Sequence, residues 1–188
     1  YHARTAVLNN LEYDHADIFP DLQAIETQFH HMVRVIPQSG TVIAPAHDEA
    51  LKRVLARGLW SQHRSFGPDG NWQCGARDES GQVFEVLYQG ESVGQVNWSL
   101  TGTHNINNAL AAIAAAHAIG LEPARAIAAL ALFQGIRRRM ELRGEINQIR
   151  VYDDFAHHPT AIATTLDGLR KQVGNARIIA VLEPRSNT

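Results

Sequence analysis

The segment VYDDFAHHPTAI, Val151 to Ile162, places Asp153 and Asp154 just ahead of His157 and His158 and closes the run with Pro159. Carboxylates and imidazoles this close could bind a metal, exchange protons, or edge a pocket that distant parts of the chain complete. Neighbouring side chains on a strand point to opposite faces, so Asp153 and Asp154 are badly placed to share one ion, and ligand binding is the favoured reading. His158 reads as a cap for the helix that Pro159 opens, a part Asp154 could also play. A second segment, NNLEYDHADIF, carries Asn10, Glu12, Asp14, His15 and Asp17 in a loop able to hold a divalent cation near phosphate. Magnesium prefers oxygen donors, so His15 reads equally as a metal ligand or as a hydrogen-bonding loop residue. In HNINN, Asn105 and Asn108 fall three apart and share a helix face. A carboxamide can pair with N6 and N7 of adenine, although Asn105 could simply cap the helix. Arg137, Arg138 and Arg139 form either a solvated charge run or, at a hinge, guanidinium groups offered to a phosphate.

These groups need elements to hold them. A helix is expected from about Asp17 to Arg34, a strand at Thr41 to Ala44, and a helix in DEALKRVLARG capped by His47 or Asp48 and stopped by Gly58. VFEVLYQG and SVGQVNWSL alternate as a hairpin around QGES, and PDGN marks another turn. GTHNINNALAAIAAAHAIG is a helix stopped by Gly120, and Pro123 opens another that Gly135 ends. The composition breaks at GIRRRMELRGE, which predicts a domain boundary, with residues 1–140 on one side and 141–188 on the other. Beyond it IRVYDDFA, a helix from Pro159 to about Val173 and RIIAVLEP predict a β-α-β unit. Such sheets bind ligands beyond the carboxyl ends of their strands, where Asp153, Asp154 and His157 would face Glu183, Arg185 and Asn187.

Composition excludes several classes. The 188 residues are 45% hydrophobic and 19% charged, with a formal charge of −2, so the chain can pack a core and has no general attraction to nucleic acid or an acidic membrane. Cys74 is the single cysteine, which leaves no intramolecular disulfide and no Cys-rich zinc site. No apolar run is long enough to span a bilayer and the first residues lack a leader's pattern, so a reducing cytoplasm is expected. The abrupt strand-like ends, RTAVLNNLE and ARIIAVLEPRSNT, suggest an excised fragment.

In order, NNLEYDHAD, GTHNINNALAA, GIRRRMELRG and YDDFAHHPTAI resemble the Mur ligases, ATP-dependent amide-forming enzymes of peptidoglycan synthesis, over nearly the whole chain. The resemblance implies an α/β fold: the later part of a central ATPase domain, with a mixed sheet, followed by the first β-α-β of a Rossmann-like domain. It implies ATP and Mg²⁺ as cofactors. His15 would bind Mg²⁺, with Asn10 and Asp14 shaping the loop. Asn105 and Asn108 would read adenine, Arg139 would meet phosphates or ribose, Asp153 and Asp154 would line the nucleotide site, and His157 would face the reacting groups. FHHMVRVIP, WSL, RRRMELRG and VLEPRSNT are similar to the branch that joins a murein tripeptide to UDP-N-acetylmuramate during recycling; the branch that adds L-alanine, which shares the paired histidines before proline, is the alternative. The family's GxxGKT phosphate loop is absent from the chain, as are its uridine-nucleotide domain and most of its last domain. Some members carbamylate a lysine that follows the magnesium histidine; here the first lysine is Lys52, and the nearby region carries His30 and His31. Residue chemistry alone also allows a His/Asp metallohydrolase or a non-catalytic nucleotide-binding module.

Overall fold

The computed structural model describes residues 3–183. Its larger sheet contains β1 (Thr5–Val7), β2 (Thr41–Pro45), β3 (Gln62–Phe66), β4 (Trp72–Arg77), β5 (Val83–Tyr88) and β6 (Glu91–Asn97) in that order. β1, β2 and β3 run parallel, joined by crossovers through α1 (Leu22–Val33) and α2 (Glu49–Ala56). The sheet turns antiparallel from β4 to β6. Gln89 and Gly90 both have positive φ, the conformation a two-residue hairpin turn requires between β5 and β6. β2 shows why the centre is stable. Val42 and Ala44 face a cluster with α1 and α2, whereas Ile43 faces the cluster beneath α3 (Thr103–Ala118) and α4 (Pro123–Leu130). All three are buried, as expected of a parallel strand covered on both faces.

A second, two-stranded sheet pairs β7 (Glu141–Ile146) antiparallel with β8 (Ile149–Asp153), and α5 (Pro159–Val173) follows. The two sheets share no ladder among the described residues. The mixed α/β class agrees with the sequence reading; several local expectations do not. α1 starts at Leu22, not near Asp17, because Pro20 disfavours helix before it and Asp21 supplies a cap, accepting from Ala24 N at 2.8 Å. α4 ends at Leu130, short of Gly135, where Leu132 and Ile136 become exposed and nothing apolar holds a further turn. The β7–β8 hairpin turns at Asn147 and Gln148, both with positive φ, without the glycine that usually announces such a turn. The expected β-α-β unit forms only in its first strand and helix. Residues 176–183 pair with no strand, and Ile179, Val181 and Leu182 lie exposed; the one ladder β8 makes is with β7.

Candidate functional site

A cleft of about 1930 Å³ opens where β1, β2 and β3 end. The loop after β1 contributes Asn10, Glu12, Asp14 and His15, the turn after β2 contributes His47 and Asp48, and β3 contributes Phe66. This is the carboxyl edge that parallel sheets use for ligands. The opposite wall comes from the start of α3, the linker before β7 and the start of α5. It includes Asn105, Asn108, Arg139, Asp154 and His158.

The loop after β1 is fixed at several points. Leu11 is buried, and its N–H donates to Asp48 Oδ2 at 3.0 Å while Asp48 Oδ1 caps α2 through Leu51 N at 2.9 Å. Asn9 Nδ2 donates to Asn108 Oδ1 at 2.8 Å. At the loop's far end His15 adopts φ 56° and accepts from Ile18 and Phe19 N–H through its carbonyl. Its ring is 63% exposed and approaches the Asp14 carboxylate, Nε2 to Oδ2 at 3.8 Å. Among the described residues no three His, Cys, Asp or Glu side chains converge on a metal position.

α3 begins at Gly102, with φ 90° and no side-chain cap, so its first N–H groups add partial positive charge beside the cleft. Asn105 does not cap it. Its Nδ2 turns back to Thr101 O at 2.8 Å, and its Oδ1 lies 3.4 Å from Asn108 Nδ2. The two carboxamides and Asn9 thus form one chain. His104, on the same turn, has an Nδ1 shut off from water with no hydrogen-bond partner among the described residues. Burial is the main force holding its pKa below the usual imidazole range; Arg139 adds to this, and Asp154 and Asp167 oppose it.

The arginine run folds back onto the exit of β8. Arg138 Nε approaches Asp153 Oδ2 at 3.7 Å, and Phe155 N donates to Arg138 O at 2.8 Å. The guanidinium carbons of Arg138 and Arg139 lie 5.1 and 5.9 Å from the Phe155 ring centre. Asp154 accepts from Met140 N at 2.8 Å and Ala156 N at 2.7 Å, so it braces the linker while edging the cleft.

The sequence reading placed His157 at the reacting groups and His158 at a helix cap; the structure sets His158 both at the cap position and on the cleft, and His157 off the cleft. His157 is exposed, stacks edge-on against Phe155 and does not line the cleft. His158 occupies the cap position without making a cap bond; its Nε2 lies 3.3 Å from Tyr13 O and its Nδ1 3.6 Å from Glu12 Oε2. Asp153 likewise sits off the cleft, engaged by Arg138. Glu183 faces no neighbouring strand, and Arg185 and Asn187 lie outside the described residues. Asn9, Glu12 and Thr160 complete the site through contacts spanning 99 to 148 residues, for which local spacing gave no signal.

A parallel-sheet edge, an amide-lined helix start and an arginine linker together line the cleft. Residues 1–116 match the Mur ligase middle domain and residues 138–188 match the Mur ligase glutamate ligase domain. The chain belongs to the Mur ligase family. It is 57% identical over its full length to the UDP-N-acetylmuramate–L-alanyl-γ-D-glutamyl-meso-2,6-diaminoheptandioate ligase of Escherichia coli K12, covering 41% of that protein. It is 51% identical to the ligase of the same name from Haemophilus influenzae, again over its full length and covering 42% of it. The crystal structure of a murein peptide ligase from Psychrobacter arcticus matches all of the chain at 50% identity with a TM-score of 0.73, over 39% of that chain. The chain therefore spans about two fifths of the length of these relatives.

Proposed function

We propose that this chain is part of an ATP-dependent ligase that joins the tripeptide L-alanyl-γ-D-glutamyl-meso-diaminopimelate to UDP-N-acetylmuramate in the cytoplasm, as a step of murein recycling. The observation that carries this reading is the 57% identity, over the full length of the chain, to a ligase of that name. Residues 1–140 form part of the central nucleotide-binding domain, and residues 141–188 begin the ligase domain.

The cleft suits a nucleotide. Asn105 and Asn108 offer amide donors and acceptors to an adenine edge, and Arg139 and the start of α3 offer positive charge to phosphates. Asp154 edges the ribose side while bracing the linker, and Asp153 steadies Arg138 rather than touching nucleotide. When bound, ATP activates the lactyl carboxylate as an acyl phosphate, which the tripeptide amine attacks to give amide, ADP and phosphate. The residues of this chain orient and neutralise; none forms a covalent bond to substrate. For Mg²⁺ the fit is incomplete. His15 is one candidate donor, and the described residues supply no full set.

The test is ADP release by the full-length enzyme with UDP-N-acetylmuramate, tripeptide, ATP and Mg²⁺. Release should require all four. ADP release that is indifferent to both the sugar nucleotide and the tripeptide would overturn the assignment.

A further inference from the structure

α5 touches the larger unit near its middle and at its start. Near its middle, Gly168 packs backbone to backbone on Gly102: a Cβ at Gly168 would stand 3.3 Å from Gly102 Cα, with Thr101 and Gly102 backbone on either side. At its start, Thr160 Oγ1 donates to Glu12 Oε2 at 2.6 Å, while His158 approaches the same carboxylate and the Tyr13 carbonyl. Eight residues separate Thr160 from Gly168, a lever of about 12 Å along the helix.

The two ends of that lever differ in kind. Gly168 is buried, whereas Glu12 and Thr160 are exposed and regain water whenever they part. Their bond is short and charge-assisted, yet it can break without stranding a buried group. Glu26 shows the contrasting design: a buried carboxylate held by Arg53 at 2.6 Å and Arg57 at 3.2 Å, suited to permanent fastening of α1 to α2. Glu12 also starts from a fixed point, because the preceding Leu11 is buried and tied to Asp48.

We propose that Glu12 and Thr160 are positioning residues, a reversible latch that sets α5 and its unit against the His15 loop, with the Gly168–Gly102 contact as pivot. The latch fixes where the arginine linker and the His15 loop stand relative to each other. Its value for the reaction rests on the ligase reading, but its existence does not.

Two measurements separate these points. In the full-length protein with its native cysteines replaced, spin labels at Glu91→Cys and Lys171→Cys report the distance between units without nucleotide or substrate. One narrow distance is expected. Thr160→Val and Glu12→Ala should each broaden it, the double variant no further than Glu12→Ala alone, while Thr160→Ser keeps it narrow. Should Glu12→Ala fail to fold, Thr160→Val, nearly isosteric and exposed, gives the answer alone. An unchanged distribution in Thr160→Val, or equal broadening in Thr160→Ser, would overturn the latch. In the full-length ligase, Thr160→Val should lower kcat roughly tenfold or more through misplacement, leave KM for ATP within about twofold, and be rescued by Thr160→Ser. A kcat unchanged in Thr160→Val would remove its positioning role. A parent enzyme without ligase activity would instead defeat the functional reading and leave the distance result standing.

Discussion

Asn9 and Asn108, 99 residues apart, are joined by a 2.8 Å hydrogen bond from Asn9 Nδ2 to Asn108 Oδ1, which ties the loop after β1 to the first turns of α3. Asn108 in turn reaches Asn105, so the amides that would read adenine are oriented before any ligand arrives. Changing Asn105 and Asn108 together to Ala should raise KM for ATP about tenfold or more, since each polar contact is worth on the order of 1 kcal/mol. KM for UDP-N-acetylmuramate should stay nearly fixed. Equal increases for both substrates, with a lower melting temperature, would point to loss of the Asn105–Thr101 bond at the helix start instead.

Asp154→Ala leaves the N–H groups of Met140 and Ala156 without their acceptor. The expected cost in urea unfolding is about 1–3 kcal/mol. Asp154→Asn, which keeps one acceptor oxygen, should fall between. Wild-type stability in Asp154→Ala, combined with weakened ATP binding, would leave this carboxylate a purely ligand-facing role.

His15→Asn should barely shift the melting temperature, because the ring is exposed and Asn tolerates the left-handed backbone at φ 56°. Turnover of the full-length enzyme at limiting Mg²⁺ should nevertheless fall. An unchanged rate there would remove His15 from the metal's shell.

Glu26→Ala removes the shared acceptor of Arg53 and Arg57. Both arginines keep some access to water, so the loss should lie below the range for a fully buried pair, at about 2 kcal/mol in urea unfolding. A loss under about 0.5 kcal/mol would mean that α1 and α2 are held by their apolar faces alone.

Stability should fall on mild acidification. Burial lowers the pKa of both His104 and His117. Arg64 Nη1 lies 2.5 Å from His117 Nδ1, which must stay unprotonated to accept. The unfolded chain therefore binds protons that the folded chain refuses, and stability rises with pH across this window. It should be complete above about pH 6.5 and decline as the pH drops below that value towards the lowered pKa values. Thermal melts from pH 7.5 to 5 should show a loss of a few degrees, reduced in His117→Gln. A flat profile would contradict neutral burial of these rings.

The sequence by itself determined the parts whose signals are local. The alternation around Gln89 and Gly90, the Ala-rich run of α3 with its stop at Gly120 and the Asp48 cap can be read within a few residues because neighbouring side chains fix strand, helix and turn. The four motif segments, and through them the family, were legible for the same reason. Tertiary structure alone decided which members of each motif face the cleft. His157 and His158 are adjacent and chemically identical, and only the packing of α5 against Glu12 and Tyr13 selects His158. Asp153 and Asp154 divide between an arginine partner and a backbone brace once β8 pairs with β7 and the linker folds over its exit. Residues 176–183 carry a strand's pattern yet form no strand, because a ladder requires a lateral partner as well as a suitable sequence. Spacing along a chain encodes its own periodicity. Contacts across 99 to 148 residues arise only when separate elements meet.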